Sequence, residues 1–176
     1  KDGMLPTDVD THTYLFIEQV LRQPYSIAGW PNKSYSLGTG GNAIHDYEMD
    51  PAIVNDPAYT NDIRVGLREI PSISIVMPTN DFWAVNDDPN DNNPDVERAA
   101  SAEVLYPNGT SEQVDCGLAG HSHTRLKRSY KLLFRREYGA GRFNTKLFKQ
   151  ASENGETAAD SYNRIMLRGG NNRAWS

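Results

Sequence analysis

Lysine and arginine are concentrated in one stretch of the chain, from Arg125 to Arg136, where six of twelve residues are basic. Apolar residues run through the same stretch, among them Leu126, Leu132 and Phe134. Side chains of a β-strand point to opposite sides in turn. The stretch therefore predicts a strand with one face for the core and one cationic face.

The cationic face has the residue types that bind phosphate, because Lys supplies a point charge and Arg a planar fork of donors. Lys127 and Lys131 share one side of the strand, about 13 Å apart at roughly 3.3 Å per residue, and Arg128 faces the other way. That separation suits two positions along a triphosphate, or one phosphate plus a carboxylate such as Glu69 or Glu103. The alternative is an edge strand whose charges discourage aggregation.

The elements around this strand predict an α+β fold with a mainly antiparallel sheet between about residues 72 and 171. Two helices are predicted, over 16–22 and over 60–70, the second capped by Thr60 or Asn61. Long loops are predicted over 24–42 and 80–100. Strands are predicted over 72–78, on both sides of a turn at 107–110, through the basic stretch and over 162–171.

Composition limits the function classes. The chain has 176 residues, of which 38% are hydrophobic, enough for one domain and its core. Residues 1–100 carry 6 basic and 16 acidic groups and residues 101–176 carry 12 and 7. An acidic total argues against a general nucleic-acid binder. No apolar run is long enough to span a bilayer, and one cysteine permits neither an internal disulfide nor a cysteine metal cluster.

Four segments carry a family resemblance: "IPSISIVMPTNDFW", "ERAASAEVLYPNGTSEQVDCGL", "KRSYKLLFRREYGAGRFNTKLF" and "YNRIMLRGGNNRAW". In order and spacing they resemble the N-terminal part of the CotH kinase family, atypical protein kinases named for a spore-coat protein. The lead-in motifs "THTYLFIEQVLRQP" and "YEMDP" are similar to those of large secreted bacterial members. On this resemblance the chain divides into a lead-in, 1–70, and the N-terminal part of a kinase-like domain, 71–176.

The resemblance implies a phosphotransferase that uses ATP and Mg²⁺ to phosphorylate Ser or Thr of a protein substrate. Lys127, Lys131 and, as an alternate, Arg128 match its basic motif and are the implied nucleotide-phosphate ligands. Gly117 and Gly120 match a Gly-rich turn before that strand. The family's catalytic and magnesium-binding aspartates lie beyond its "LR" strand, so we expect them outside this sequence.

The resemblance also implies an extracellular or cell-surface location, with the remaining C-terminal part of the polypeptide as a partner. An isolated fragment of this extent is expected to be catalytically inactive, because phosphoryl transfer needs metal and nucleophile positioned as well. Two alternatives stay open: a non-catalytic surface or adhesion module of the same fold, and a polyanion-binding module.

Other residues could do chemistry, but each has a simpler explanation. His121 and His123 share one side of a strand without a third metal ligand fixed by the sequence, so turn polarity is favoured and no metal site is assigned. The stretch 86–95 offers oxygen ligands for Ca²⁺ without the EF-hand order. Asn108 begins a glycosylation motif that a turn also explains. Cys116 is expected to be a buried small side chain.

Overall fold

A computed structural model describes residues 10–30, 34–36, 42–44, 46–87, 96–121, 129–147 and 159–168. Within these ranges the helices are α1 Ile17–Leu21, α2 Pro51–Val54, α3 Thr60–Glu69 and α4 Thr79–Asp87. The strands are β1 Ser34–Ser36, β2 Asn42–Ile44, β3 Ser72–Val76, β4 Arg98–Leu105, β5 Ser111–His121, β6 Ser129–Leu133 and β7 Arg164–Leu167.

Strands β3 to β7 form a five-stranded antiparallel sheet in which each strand pairs with the next along the chain. This confirms the predicted α+β class and the mainly antiparallel sheet. β1 and β2 pair separately as a short hairpin. The prediction of a loop over 24–42 is therefore wrong for Ser34–Ser36 and for Asn42.

The turn between β4 and β5 follows from its sequence. Gly109 has φ +81°, a left-handed conformation that glycine adopts without steric cost. Asn108 Oδ1 accepts hydrogen bonds from the Thr110 amide at 3.1 Å and hydroxyl at 2.7 Å. The turn predicted at 107–110 is confirmed, and it accounts for Asn108 by local hydrogen bonding.

One face of the sheet, which we call the core face, carries the hydrophobic core. The buried residues of the core are Val85, Ala100, Ala102, Val104, Tyr106, Val114, Cys116, Leu118, Leu132, Phe134 and Phe143. Leu132 and Phe134 are 2% and 3% exposed, and Tyr130, Ile165 and Leu167 pack against this cluster. The predicted core side of the basic stretch is confirmed at these positions.

Helix α4 lies where a polar loop was predicted over 80–100, so that prediction is wrong for residues 80–87; it is also wrong for residues 98–100, which belong to β4. The amides of Asp81 and Phe82 bond to the carbonyl of Pro78 and begin the helix. Val85, one turn later, is fully buried against the core face. Burial of this side chain outweighs the loop-like composition of "NDFWAVND", which is a tertiary effect.

Helix α3 occupies the predicted range but begins differently. Its N-cap is Tyr59, without a capping side-chain hydrogen bond, rather than Thr60 or Asn61. The Thr60 hydroxyl instead donates to the Asp56 carbonyl at 3.0 Å. The preceding turn, and not a side-chain cap, therefore leads into this helix.

Candidate functional site on the open face of the sheet

The opposite face of the sheet, which we call the open face, is mostly polar or small. Paired positions place its side chains in rows across the strands. The rows are Ser74–Glu103–Gln113, Val76–Ser101–Asp115, Ala99–Gly117–Leu133 and Ala119–Lys131. A face of this composition leaves room above the small residues for another segment or a ligand.

A cleft of about 460 Å³ lies on the open face. Its lining is formed by Thr11, Val76, Met77, Pro78, Ala99, Ala100, Ser101, Asp115, Cys116, Glu137 and Tyr138. Apolar side chains from the end of β3 and the ring of Tyr138 supply much of this lining, and Asp115 and Glu137 supply carboxylates. Ligand pockets of similar size commonly combine apolar walls with a few polar groups.

The Tyr138 side of the cleft is held by a buried carboxylate. Glu97 is 9% exposed and pairs with Arg135 through Oε2 at 2.9 Å. Its Oε1 is buried without a hydrogen-bond partner among the described residues. Burial, and next the nearby Glu97 charge, raise the pKa of Tyr138 to about 12. The phenol therefore stays neutral at physiological pH.

Gly117 lies beneath Glu97 and Tyr138. A Cβ at this position would overlap Glu97 Oε1 and lie 2.6 Å from a ring carbon of Tyr138. Gly117 and Gly120 are both inside β5, so their assignment to a Gly-rich turn is wrong. The glycine at 117 allows close packing on a strand, a role that glycine also has where another group approaches the backbone.

The segment Asp10–Phe16, which we call the strap, crosses the open face without joining the sheet as a strand. Thr11 Oγ1 and Ser101 Oγ lie 2.6 Å apart in a hydrogen bond. The Thr13 amide donates to Glu103 Oε2 at 2.7 Å, and the Thr13 hydroxyl donates to Ser74 Oγ at 2.8 Å. Thr11 also lines the cleft, so the strap forms part of its wall.

Glu103 is a buried carboxylate, 2% exposed, beneath the strap. Burial alone would raise its pKa, but hydrogen bonds from Ser111 and from the Thr13 amide, together with the nearby Thr13 hydroxyl, lower the pKa overall. Glu103 is therefore ionised at neutral pH, and its charge is stabilised by the donors around it.

The predicted phosphate ligands are only partly described. Lys131 lies half-buried in β6 on the open face, opposite Ala119 and Met166. Lys127 and Arg128 lie outside the described residues. Among the described residues Lys131 forms no ion pair, so neither Glu69 nor Glu103 is its partner. The register places Glu97, just before β4, beside Ala119 and in line with Lys131.

The remaining candidates resolve as follows. Cys116 is fully buried, and burial raises the pKa of its thiol to about 12, so the expectation of a buried small side chain is confirmed. His121 is at the end of β5, whereas His123 and most of the stretch 86–95 lie outside the described residues. Within the described ranges, no group of three His, Cys, Asp or Glu residues could hold a metal ion.

Sequence reasoning proposed Lys131 as a phosphate ligand, which stays a prediction, and it missed the cleft and the strap's contacts. The alternation of Thr11 and Thr13 was visible as an extended pattern, but nothing in it indicated bonds to residues 61 to 90 positions away. Tyr138 carried no signal of its own, because its role depends on Gly117 and Glu97 meeting beneath it.

No helix in the described ranges is long and apolar enough to cross a membrane. Comparison of the chain with family models, with curated proteins and with solved structures gives no match in any of the three.

Proposed function

We propose that the chain is the N-terminal, nucleotide-facing part of a secreted CotH-like protein kinase that transfers the γ-phosphoryl group of ATP to Ser or Thr of a protein substrate. The order of the four motifs in the sequence motivates this proposal. The observation that supports it in three dimensions is that a ligand-sized cleft and Lys131 share the open face of one sheet.

The arrangement suggests how a nucleotide would lie. The cleft walls around Met77, Pro78 and Tyr138 are suited to an apolar, planar base. Gly117 pairs with Leu133, and Lys131 is two residues further along β6, about 7 Å from Leu133 along the strand. A nucleoside in the cleft can therefore direct its phosphates along the open face towards Lys131.

In this proposal Lys131 neutralises phosphate charge, and Lys127, with Arg128 as the alternate, would add to it. A bound ATP·Mg²⁺ would supply the phosphoryl group and the positive charge of the metal that offsets phosphate charge. The magnesium ligands and the general base are proposed to belong to other parts of the kinase. Tyr138, which lies over Gly117, would position the adenine ring of the nucleotide by packing against it.

Nucleotide titration tests the proposal. The Lys131→Met variant should bind ATP in the presence of Mg²⁺ at least about 10-fold more weakly, because a hydrogen bond to a charged group is worth about 1.5–3 kcal/mol. Lys146→Met is the matched control, since Lys146 is exposed and outside the cleft lining. Equal affinities for the parent chain and Lys131→Met, or no ATP binding at all, would contradict the proposal.

A second candidate, polyanion binding, is favoured by one observation. Arg164 is exposed in β7 directly opposite Leu133, so it lies on the same face as Lys131 in the neighbouring strand. Neighbouring cations on one sheet face can bind a linear polyanion without a cleft. Polyanion binding should weaken steeply with salt and require both cations, whereas nucleotide binding should also depend on Tyr138.

A further inference from the structure

The strap is attached to the sheet by few interactions. From Asp10 to Leu15 it forms no backbone–backbone hydrogen bond with another described residue. Within the described part of the sheet, its hydrogen bonds are the three that Thr11 and Thr13 make with Ser101, Glu103 and Ser74. A segment without a backbone ladder can open locally while the sheet remains folded.

Hydrophobic burial adds little to this attachment. Tyr14 is 80% exposed and Phe16 is 63% exposed, although both are large apolar side chains within the strap. The favourable free energy of burial scales with the apolar area removed from water. The strap is therefore held mainly by polar contacts, which water or another peptide can replace.

The surface under the strap has a defined chemistry. Ser74 and Ser101 present hydroxyls, and Glu103 presents an ionised carboxylate that accepts from a backbone amide. In an extended peptide, residues i and i+2 point to the same side. The surface thus matches an extended peptide with hydroxyl side chains at positions i and i+2, in which the backbone amide of residue i+2 donates to Glu103.

We propose that this surface is a binding site for extended, hydroxyl-bearing peptides, and that the strap is its exchangeable occupant within the chain. The sequence Thr11-His12-Thr13 fills the site in cis. A separate peptide of the same type binds when the strap opens. The strap acts at an effective concentration in the millimolar range, so a competing peptide must approach that concentration.

Thiol labelling can detect the opening. Ser101 is 7% exposed and lies beneath Thr11, so a Ser101→Cys variant places a thiol under the strap. The two bonds made by Thr13 remain in this variant. Cys116 is completely buried in the core, and burial raises the pKa of its thiol to about 12. It therefore reacts only on global unfolding.

The expected result is that the thiol at position 101 reacts while Cys116 does not. Adding Thr13→Val removes the hydroxyl bond to Ser74 and should raise the labelling rate roughly 2- to 12-fold. Tyr14→Phe is the matched control: it also removes one hydroxyl from the strap, but from a side chain that is 80% exposed. This control should leave the rate unchanged.

A synthetic peptide with the sequence of residues 8–16, DVDTHTYLF, at about millimolar concentration should slow labelling at position 101. The same peptide with Val in place of both Thr residues should not. Labelling of position 101 and Cys116 at the same rate would overturn the proposal, because the strap would then open only with global unfolding. Labelling that the Thr peptide does not slow would overturn it as well.

The test of the peptide site does not depend on the proposed nucleotide site, since the labelling assay contains no nucleotide. The peptide site lies next to the cleft: Ser101 belongs to both sites, and Thr11 of the strap forms part of the cleft wall. If both sites exist, a hydroxyl-bearing peptide and a nucleotide would lie side by side on one face of the sheet. Loss of ATP binding in Lys131→Met would leave the labelling result unchanged.

Discussion

Substitution of Gly117 by alanine tests the packing that forms the Tyr138 side of the cleft. The added methyl group would overlap Glu97 Oε1 and approach a Tyr138 ring carbon to 2.6 Å. Glu97 cannot give way freely, because its side chain is 9% exposed and pairs with Arg135 at 2.9 Å. We therefore expect the Glu97 carboxylate and the Tyr138 ring to be displaced together.

The cost follows from the size of the overlap. Adding a methyl group to a well-packed site typically destabilises a protein by about 1–3 kcal/mol. For a chain of this length, that free energy corresponds to a fall in melting temperature of roughly 2–12 °C. Thermal unfolding followed by circular dichroism measures it, and nucleotide titration of the same variant measures the effect on the cleft.

Gly66→Ala is a control for which we expect the opposite change in stability. Gly66 is inside α3, and a Cβ there would meet no atom within 4 Å. Alanine is more favourable than glycine in a helix by about 1 kcal/mol, so this variant should be slightly more stable than the parent chain. If Gly117→Ala is as stable as Gly66→Ala, the conclusion that Glu97 and Tyr138 pack closely on Gly117 is wrong.

Two further predictions concern the two faces of the sheet. Leu132→Ala should lower the unfolding free energy by about 2–5 kcal/mol, because Leu132 is 2% exposed in the core. Lys131→Ala should change the unfolding free energy by less than about 0.5 kcal/mol. Equal losses in the two variants would contradict the assignment of the faces. Glu103→Gln should destabilise at pH 7. The lowered pKa of Glu103 gives stability that is complete above its ordinary value, about 4.3, and is lost as the pH falls through the lowered value, so the penalty should shrink towards pH 2; a penalty independent of pH would refute this.

Local patterns were sufficient to predict much of the sheet. The alternation of Tyr130, Leu132 and Phe134 placed these residues on the core side correctly. Asn108 and Gly109 predicted the turn that joins β4 and β5, because their own side-chain and backbone preferences form it. These features depend on residues close together in the sequence, and so the sequence alone predicts them.

Features that depend on distant residues could not be predicted in the same way. Helix α4 exists because Val85 is buried against strands that follow it in the chain. Gly117 was interpreted from its neighbours as part of a turn, although its role depends on Glu97 and Tyr138, which are 20 and 21 residues away. The strap's anchors are also distant, with Ser101 and Glu103 each 90 residues from their partners. Sequence patterns within a short window carry no information on contacts between residues that are far apart in the chain.

Charged residues are unevenly distributed across the open face, and this bears on how a ligand would lie. Glu97, Glu103 and Asp115 are on the β4–β5 side, whereas Lys131 and Arg164 are on the β6–β7 side. An anionic group is repelled by the first side and attracted by the second, and the effect is strongest where the groups are shielded from water. In the proposed nucleotide site, the uncharged base would lie in the cleft beside Asp115 and the phosphates would extend towards Lys131, whereas the reverse orientation would bring the phosphates next to the Asp115 carboxylate.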